Sequence, residues 1–115
     1  MSIIIWHNPR CRKSREGLSY LESKGVQPVI FKYLEEPFEA STLAEIIRKS
    51  NQEVTEFIRS NEADFKALGV KKKDLTPDSF AELASKYPKI LQRPIVVNGD
   101  KAVLARPAEK IDEIL

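Results

Sequence analysis

The single cysteine of the chain lies in a polar loop that is rich in positive charge. Cys11 occurs in the stretch HNPRCRKSRE, residues 7–16, among three arginines, a lysine and a histidine. As the only cysteine in 115 residues, it has no partner for a disulfide within the chain. Cationic neighbours lower the pKa of a thiol, and the thiolate is the form of cysteine that attacks. The stretch therefore predicts a nucleophilic Cys11.

The other reading of a lone cysteine is structural, because free cysteines are often small buried core residues. The polar, proline-containing loop around Cys11 favours the functional reading. The loop leaves the roles of its other polar residues open. His7 either adds positive charge when protonated or hydrogen-bonds the loop. Asn8 and Ser14 either donate to an anion or the thiolate, or simply shape the turn and the start of a helix.

The composition excludes several classes of protein. The chain has 19 basic and 17 acidic residues, so its net charge of +2 does not indicate a nucleic-acid-binding protein. It contains no apolar run near the roughly 20 residues of a membrane span. One cysteine and one histidine argue against a metal site. We expect a single domain over residues 1–115, with no secretory leader, in the reducing cytoplasm.

The elements that position Cys11 follow from the hydrophobic pattern. Residues 2–6 (SIIIW) and 28–34 (PVIFKYL) are typical of strands, and residues 14–25 of a helix that ends at Gly25. Strand, helix and strand with short connections form a βαβ unit, whose two strands are parallel. Cys11 then lies where the first strand delivers the chain to a helix N-terminus, among free amide donors.

The middle of the chain is predicted to be helical. Thr42 and Glu45 have the spacing of a capping box, and residues 53–58 and 62–68 favour shorter helices. Thr76 before Pro77 predicts the start of another helix.

The C-terminal part predicts a hairpin over residues 95–104, around the turn Asn98-Gly99-Asp100. A last helix follows Pro107, with Ile111, Ile114 and Leu115 on its apolar side. The order predicts an α/β thioredoxin-like fold, with a mixed four-stranded sheet and a helical insertion between βαβ and ββα halves.

Several motifs resemble the glutaredoxin-linked arsenate reductases of the thioredoxin superfamily, a group related to Spx-like regulators. They occur in the order and spacing of that family and span nearly the whole chain. The matching segments are HNPRCRKSRE, YLEEP at 33–37, FIRSNEADFKALG at 57–69, LQRPIVV at 91–97 and LARPAE at 104–109.

The resemblance implies roles that pattern alone leaves open. Cys11 matches the cysteine that attacks arsenate, and Arg59, Arg93 and Arg106 match three arginines that surround the oxyanion. Pro94 matches the cis-proline beside the active site. The supporting His7, Asn8 and Ser14 match residues of the same loop, and no metal is implied.

The implied reaction reduces arsenate to arsenite through a thiol–arsenate adduct. No second cysteine is present to resolve the adduct, so the resemblance implies glutathione as co-substrate and glutaredoxin as partner, with no bound cofactor. One departure from the family is Arg12, followed by Lys13, where members commonly have glycine.

Two other functions fit parts of this pattern. A glutathione-linked thiol transferase or disulfide reductase would use the same activated Cys11 on another substrate. An Spx-like transcription regulator would typically need a CxxC pair, and Ser14 occupies the second position here. Arsenate reduction is therefore the favoured prediction, and thiol transfer is the main alternative.

Overall fold

A four-stranded mixed sheet forms the centre of the fold, in a computed structural model that describes residues 2–115. Its strands are β1 (Ile3–Trp6), β2 (Val29–Phe31), β3 (Ile95–Asn98) and β4 (Lys101–Leu104), in the spatial order β2-β1-β3-β4. β1 is parallel to β2 and antiparallel to β3, and β3 is antiparallel to β4. The predicted mixed sheet is confirmed.

Helix α1 (Arg12–Ser23) connects the two parallel strands. It begins two residues earlier than predicted, directly after Cys11. Gly25 follows the helix with a φ of +79°, a conformation that glycine adopts at little cost. The N–H of Val26 donates to the carbonyl of Leu21 at 3.0 Å, which closes the C-terminal turn. The predicted role of Gly25 is confirmed.

The segment between β2 and β3 is helical, as predicted, and contains α2 (Ala40–Ser50), α3 (Ala63–Leu68) and α4 (Pro77–Lys86). Thr76 caps α4, because its Oγ1 accepts the N–H of Ser79 at 3.1 Å. This capping residue was expected from the Thr-Pro pair.

Two details of the middle segment differ from prediction. The capping box at Thr42 is wrong, because α2 already begins at Ala40 and Thr42 donates its N–H to the carbonyl of Glu39 at 3.1 Å. The helix predicted over residues 53–58 is a single stretch of 3₁₀-helix, Val54–Phe57. Short runs commonly adopt this tighter geometry.

The hairpin and the C-terminal segment complete the fold. Asn98 pairs with Lys101, so Gly99 and Asp100 form a two-residue turn in the predicted hairpin. The last helix is a 3₁₀-helix, Ala108–Ile114. Leu115 was predicted on its buried side but is 49% exposed, because the helical turns end before it.

Apolar side chains cover both faces of the sheet. On one face, Trp6 and Ile95 pack against residues of α2 and α4 such as Leu43 and Phe80. On the other face, Ile5 and its neighbours pack against α1 and the C-terminal 3₁₀-helix. The alternation within β1 is that of a strand buried on both sides. Within residues 2–115 we find no helix of the length and apolar character that a membrane crossing demands.

Candidate active site

Cys11 occupies the N-cap position of α1, at the end of the loop that follows β1. The N–H of His7 donates to the carbonyl of Phe31 at 2.9 Å, which extends the β1–β2 pairing into this loop. The N–H of Cys11 donates to the carbonyl of Asn8 at 3.0 Å, and Arg15 donates its N–H to the Cys11 carbonyl. The thiol is therefore held at a helix N-terminus, where amide donors are free, and it is partly exposed.

The surroundings of Cys11 favour the thiolate. Burial alone would raise its pKa, but the backbone N–H of Ser14 and the Arg93 side chain outweigh that effect. Arg93 acts both as a hydrogen-bond donor and as a positive charge, and the backbone N–H of Lys13 adds a further donor. The pKa of the thiol is therefore below its ordinary value, which increases the fraction of thiolate at neutral pH.

One cavity of about 430 Å³ opens beside Cys11. Arg59 reaches it from the segment before α3, Arg93 from the segment before β3, and Arg106 from the segment after β4. The fold thus brings together the cysteine and the three arginines that lie far apart in the sequence. The charged residues of the lining are the cations Arg12, Lys13, Arg59, Lys72, Arg93 and Arg106 and the carboxylate Glu62. This excess of positive charge suits an anionic ligand.

Two of the arginines are held by backbone carbonyls. Arg59 Nη1 donates to the carbonyl of Lys89 at 3.1 Å and to Glu62 Oε2 at 3.2 Å. Arg106 Nη1 donates to the carbonyl of Arg93 at 3.1 Å. A guanidinium has five N–H donors, so each of these arginines keeps donors for a ligand.

The cations next to Cys11 in the sequence have other partners. Arg12 and Lys13 both pair with Glu16, at 3.4 and 3.6 Å, on the exposed surface of α1. Arg15 donates to the carbonyl of Pro9 at 3.0 Å. The expectation that these neighbours lower the thiol pKa needs correction, because amide donors and the distant Arg93 are the leading causes.

The polar residues of the loop bind one another. Ser14 Oγ is fully buried, accepts the N–H of Asn8 at 3.0 Å and lies 2.7 Å from His7 Nδ1. Burial lowers the pKa of His7, and the nearby charges of Lys32 and Arg15 lower it further. These effects favour the neutral form of His7, which adds no positive charge. Of the two roles considered for it, the structure favours hydrogen bonding within the loop.

His7 and Asn8 are absent from the lining of the cavity beside Cys11. Both line a second cavity, of about 310 Å³, whose lining does not include Cys11. Pro94, in contrast, lies directly after Arg93 and is buried against α1, where its Cγ limits the space at Gly17. The Arg93–Pro94 peptide bond is cis. Among the supporting residues, Ser14 acts on the thiol through its backbone N–H, and Pro94 follows the cavity residue Arg93.

Two residues near the cavity were not predicted as site residues. Lys72 contributes its positive charge to the lining, although it lies in a run of three lysines typical of a solvated surface. Tyr33 lies just after β2, and its pKa responds to the charges of Arg93, Arg59 and Cys11. Nothing in the local sequence indicates that either residue is near Cys11, because the tertiary fold creates both contacts.

The chain is similar to known proteins over nearly its whole length. The model of the ArsC family matches residues 6–114. The chain is 40% identical to an arsenate reductase of Haemophilus influenzae over the full length of both proteins. An arsenate reductase of Neisseria meningitidis serogroup B is 37% identical and is covered over 97% of its length, with 98% of this chain aligned.

A solved structure supports the same relationship. The arsenate reductase from Vibrio cholerae superposes with a TM-score of 0.90 at 37% identity, covering 100% of this chain and 98% of that one. Family model, relatives and structure all extend over nearly the whole chain, and the thioredoxin-like fold predicted from the element order is confirmed. This protein therefore belongs to the ArsC family.

Proposed function

We propose that this protein reduces arsenate to arsenite through a covalent adduct on Cys11. The observation that carries the proposal is the single cavity in which Cys11 meets Arg59, Arg93 and Arg106. Relatives named arsenate reductases, aligned over the full length, support the same activity. A lowered thiol pKa supplies the nucleophile that the reaction needs.

The arginines have the chemistry to hold the oxyanion. Guanidinium groups stay charged at any working pH, and their forked donors match the oxygens of a tetrahedral anion. Arg59 and Arg106 are anchored by backbone carbonyls, so little reorganisation is needed when the anion binds. The same donors stabilise negative charge as it redistributes over the oxygens in the transition state.

The first step forms a bond between sulfur and arsenic. The Cys11 thiolate attacks As(V), a hydroxide leaves and takes up a proton as water, and arsenic remains As(V) in the adduct. The backbone N–H groups of Lys13 and Ser14 stabilise the thiolate before the attack. They are free to bind an adduct oxygen once the sulfur loses its charge.

Reduction then requires an external thiol, because Cys11 is the only cysteine of the chain. Glutathione attacks the Cys11 sulfur, and the electron pair of the S–As bond stays on arsenic, which leaves as arsenite. Glutaredoxin removes the glutathionyl group by thiol–disulfide exchange and restores Cys11. These reductants are those of a reducing cytoplasm, where we propose that the protein acts. No bound cofactor takes part in this scheme.

The size of the cavity supports a second candidate function. A volume of about 430 Å³ exceeds what a five-atom oxyanion needs and leaves room for a peptide-sized thiol beside Cys11. A glutathione-linked thiol transferase would use the same cations to bind the carboxylates of glutathione. An Spx-like regulator is less well supported, because Ser14 replaces the second cysteine and is buried in the loop network.

A coupled assay tests the proposal. Glutathione, glutaredoxin, glutathione reductase and NADPH are mixed with the protein, and NADPH oxidation is followed with and without arsenate. We expect arsenate-dependent oxidation that is lost in Cys11→Ser, with the same melting temperature in both proteins. Oxidation that needs no arsenate but proceeds with a small disulfide would support the thiol transferase instead. Arsenate turnover by Cys11→Ser would exclude Cys11 as the nucleophile.

A further inference from the structure

Tyr33 carries a buried hydroxyl with no hydrogen-bond partner. Its side chain is 1% exposed, and its ring stacks on Trp6 with centroids 6.2 Å apart. Among residues 2–115, no polar atom lies within hydrogen-bonding geometry of the hydroxyl. Buried polar groups are almost always paired, so an exception of this kind calls for an explanation.

The second unpaired buried atom is the Nε of Arg93. The Arg93 side chain is close enough for its charge and its donor group to act on the Tyr33 hydroxyl, although the geometry of a hydrogen bond is not met. Arg59 and Cys11, which line the cavity with Arg93, also act on the hydroxyl through their charges. Burial is the largest effect and raises the pKa of Tyr33 to about 12. The hydroxyl therefore stays neutral, with an oxygen that can accept and a proton that can be donated.

Arg93 differs from the other two arginines in how it is held. Arg59 and Arg106 each donate to a backbone carbonyl, at 3.1 Å in both cases. The Nε of Arg93, in contrast, has no hydrogen-bond partner within residues 2–115. A guanidinium is planar, so a single bond at Nε is enough to set the direction of both terminal amino groups.

We propose that Tyr33 is the positioning residue for Arg93: when an oxyanion enters the cavity, the Tyr33 hydroxyl accepts the Arg93 Nε–H. The terminal amino groups of Arg93 then face the anion, and the two unpaired atoms satisfy each other. This inference rests on the proposed binding of an oxyanion beside Cys11. It assigns to Tyr33 a role in anion affinity, separate from its aromatic ring, which belongs to the core.

Tyr33→Phe tests the role, because it removes the hydroxyl and keeps the ring. We expect the KM for arsenate to rise about tenfold, the lower end of the range for a hydrogen bond to a charged group, with kcat changed by less than twofold. Tyr87→Phe is the matched control, since Tyr87 is 41% exposed and lies outside the cavity lining. Its KM should equal that of the wild type. An unchanged KM in Tyr33→Phe, with the fold intact, would overturn the inference.

A second measurement does not depend on turnover. Alkylation of Cys11 by iodoacetamide is followed with increasing arsenate or sulfate, and the anion concentration that halves the rate is recorded. We expect Tyr33→Phe to need about tenfold more anion than the wild type and Tyr87→Phe to need the same concentration as the wild type. If the anion protects the wild type and Tyr33→Phe weakens that protection, but the wild type does not turn over arsenate, the proposed function fails and the inference stands. No difference between Tyr33→Phe and the wild type would refute the inference alone.

Arg93→Lys shows whether Tyr33 acts through Arg93. Lysine lacks the Nε–H of a guanidinium, so we expect Tyr33→Phe to weaken anion protection no further in the Arg93→Lys background. If Tyr33→Phe weakens anion protection as much in the Arg93→Lys background as in the wild type, Tyr33 does not act through Arg93. Melting temperatures separate these effects from a fold defect: Tyr33→Phe should melt no lower than the wild type, because it removes an unpaired buried hydroxyl.

Discussion

The reactivity of Cys11 depends on a side chain that lies far from it in the sequence. Burial of the thiol opposes ionisation, and the amide donors at the start of α1 and the Arg93 side chain reverse that effect. Arg106 lines the same cavity but is not among the groups that lower the thiol pKa. Arg93 therefore contributes to the lowered pKa of the thiol, and Arg106 does not.

This difference predicts the pH dependence of thiol reactivity. Arg93→Ala removes a donor and a charge that stabilise the thiolate, so the Cys11 pKa should rise towards the ordinary value. We expect the midpoint of the pH–rate profile for iodoacetamide alkylation to move to higher pH, with slower alkylation at pH 7. Arg106→Ala should leave the midpoint unchanged. Equal shifts in both variants would indicate a general loss of positive charge rather than the specific contact of Arg93.

At the scale of elements, α1 and the segment before β3 must approach closely. A Cβ on Gly17 would lie 2.7 Å from Pro94 Cγ, closer than two non-bonded carbon atoms can approach. The proline ring belongs to the residue that follows Arg93 and cannot rotate away as a long side chain could. Glycine at this position thus allows α1, which carries Cys11 at its start, to pack against Pro94, the residue that follows Arg93.

Gly17→Ala should destabilise the protein although alanine is the better helix former. The gain in helix propensity is roughly 1 kcal/mol, and overpacking of a close contact costs about 1–3 kcal/mol. We expect a net loss of about 1 kcal/mol in the free energy of unfolding, measured by urea denaturation, together with a higher KM for arsenate. Ser19→Ala on the exposed side of α1 is the control and should not destabilise. A more stable Gly17→Ala would show that Pro94 can move at little cost.

At the scale of the whole molecule, Cys11 and the three arginines reach the cavity from four separate segments. Cys11 follows β1, Arg59 precedes α3, Arg93 precedes β3 and Arg106 follows β4. Backbone pairing links the second and third of these, because Arg59 donates its N–H to the carbonyl of Ile90 at 2.8 Å. An anion in the cavity would contact groups from all four segments and can only do so when the protein is folded.

Anion binding should therefore raise the melting temperature. A ligand that binds only the folded state, at about 100 times its Kd, stabilises it by roughly 2.7 kcal/mol. We expect arsenate and sulfate to raise the melting temperature of the wild type more than chloride at the same ionic strength. The anion-specific part should shrink in Arg106→Ala. An equal rise with chloride would mean that the anions act by general screening.

Local sequence patterns were sufficient to predict most of the strands, helices and turns. The β1 run, Gly25 at the end of α1, Thr76 before Pro77 and the Gly99 turn each depend on residues a few positions apart, and the structure confirms them. The prediction of a capping box at Thr42 was wrong, because the spacing of Thr42 and Glu45 does not determine where the helix begins. The prediction that Leu115 is buried was wrong, because its burial depends on packing beyond the last helical turn.

The sequence by itself determined that Cys11 lies at a helix N-terminus, because the strand and helix patterns on either side of it are local. That Cys11 is a nucleophile stays a prediction. The pattern alone did not distinguish Arg59, Arg93 and Arg106 from surface arginines; the resemblance to a family singled them out. Only the tertiary structure decided that Arg93 lowers the thiol pKa while Arg12 and Lys13 pair with Glu16. Electrostatic and hydrogen-bond effects depend on distance in space, and folding alone sets that distance.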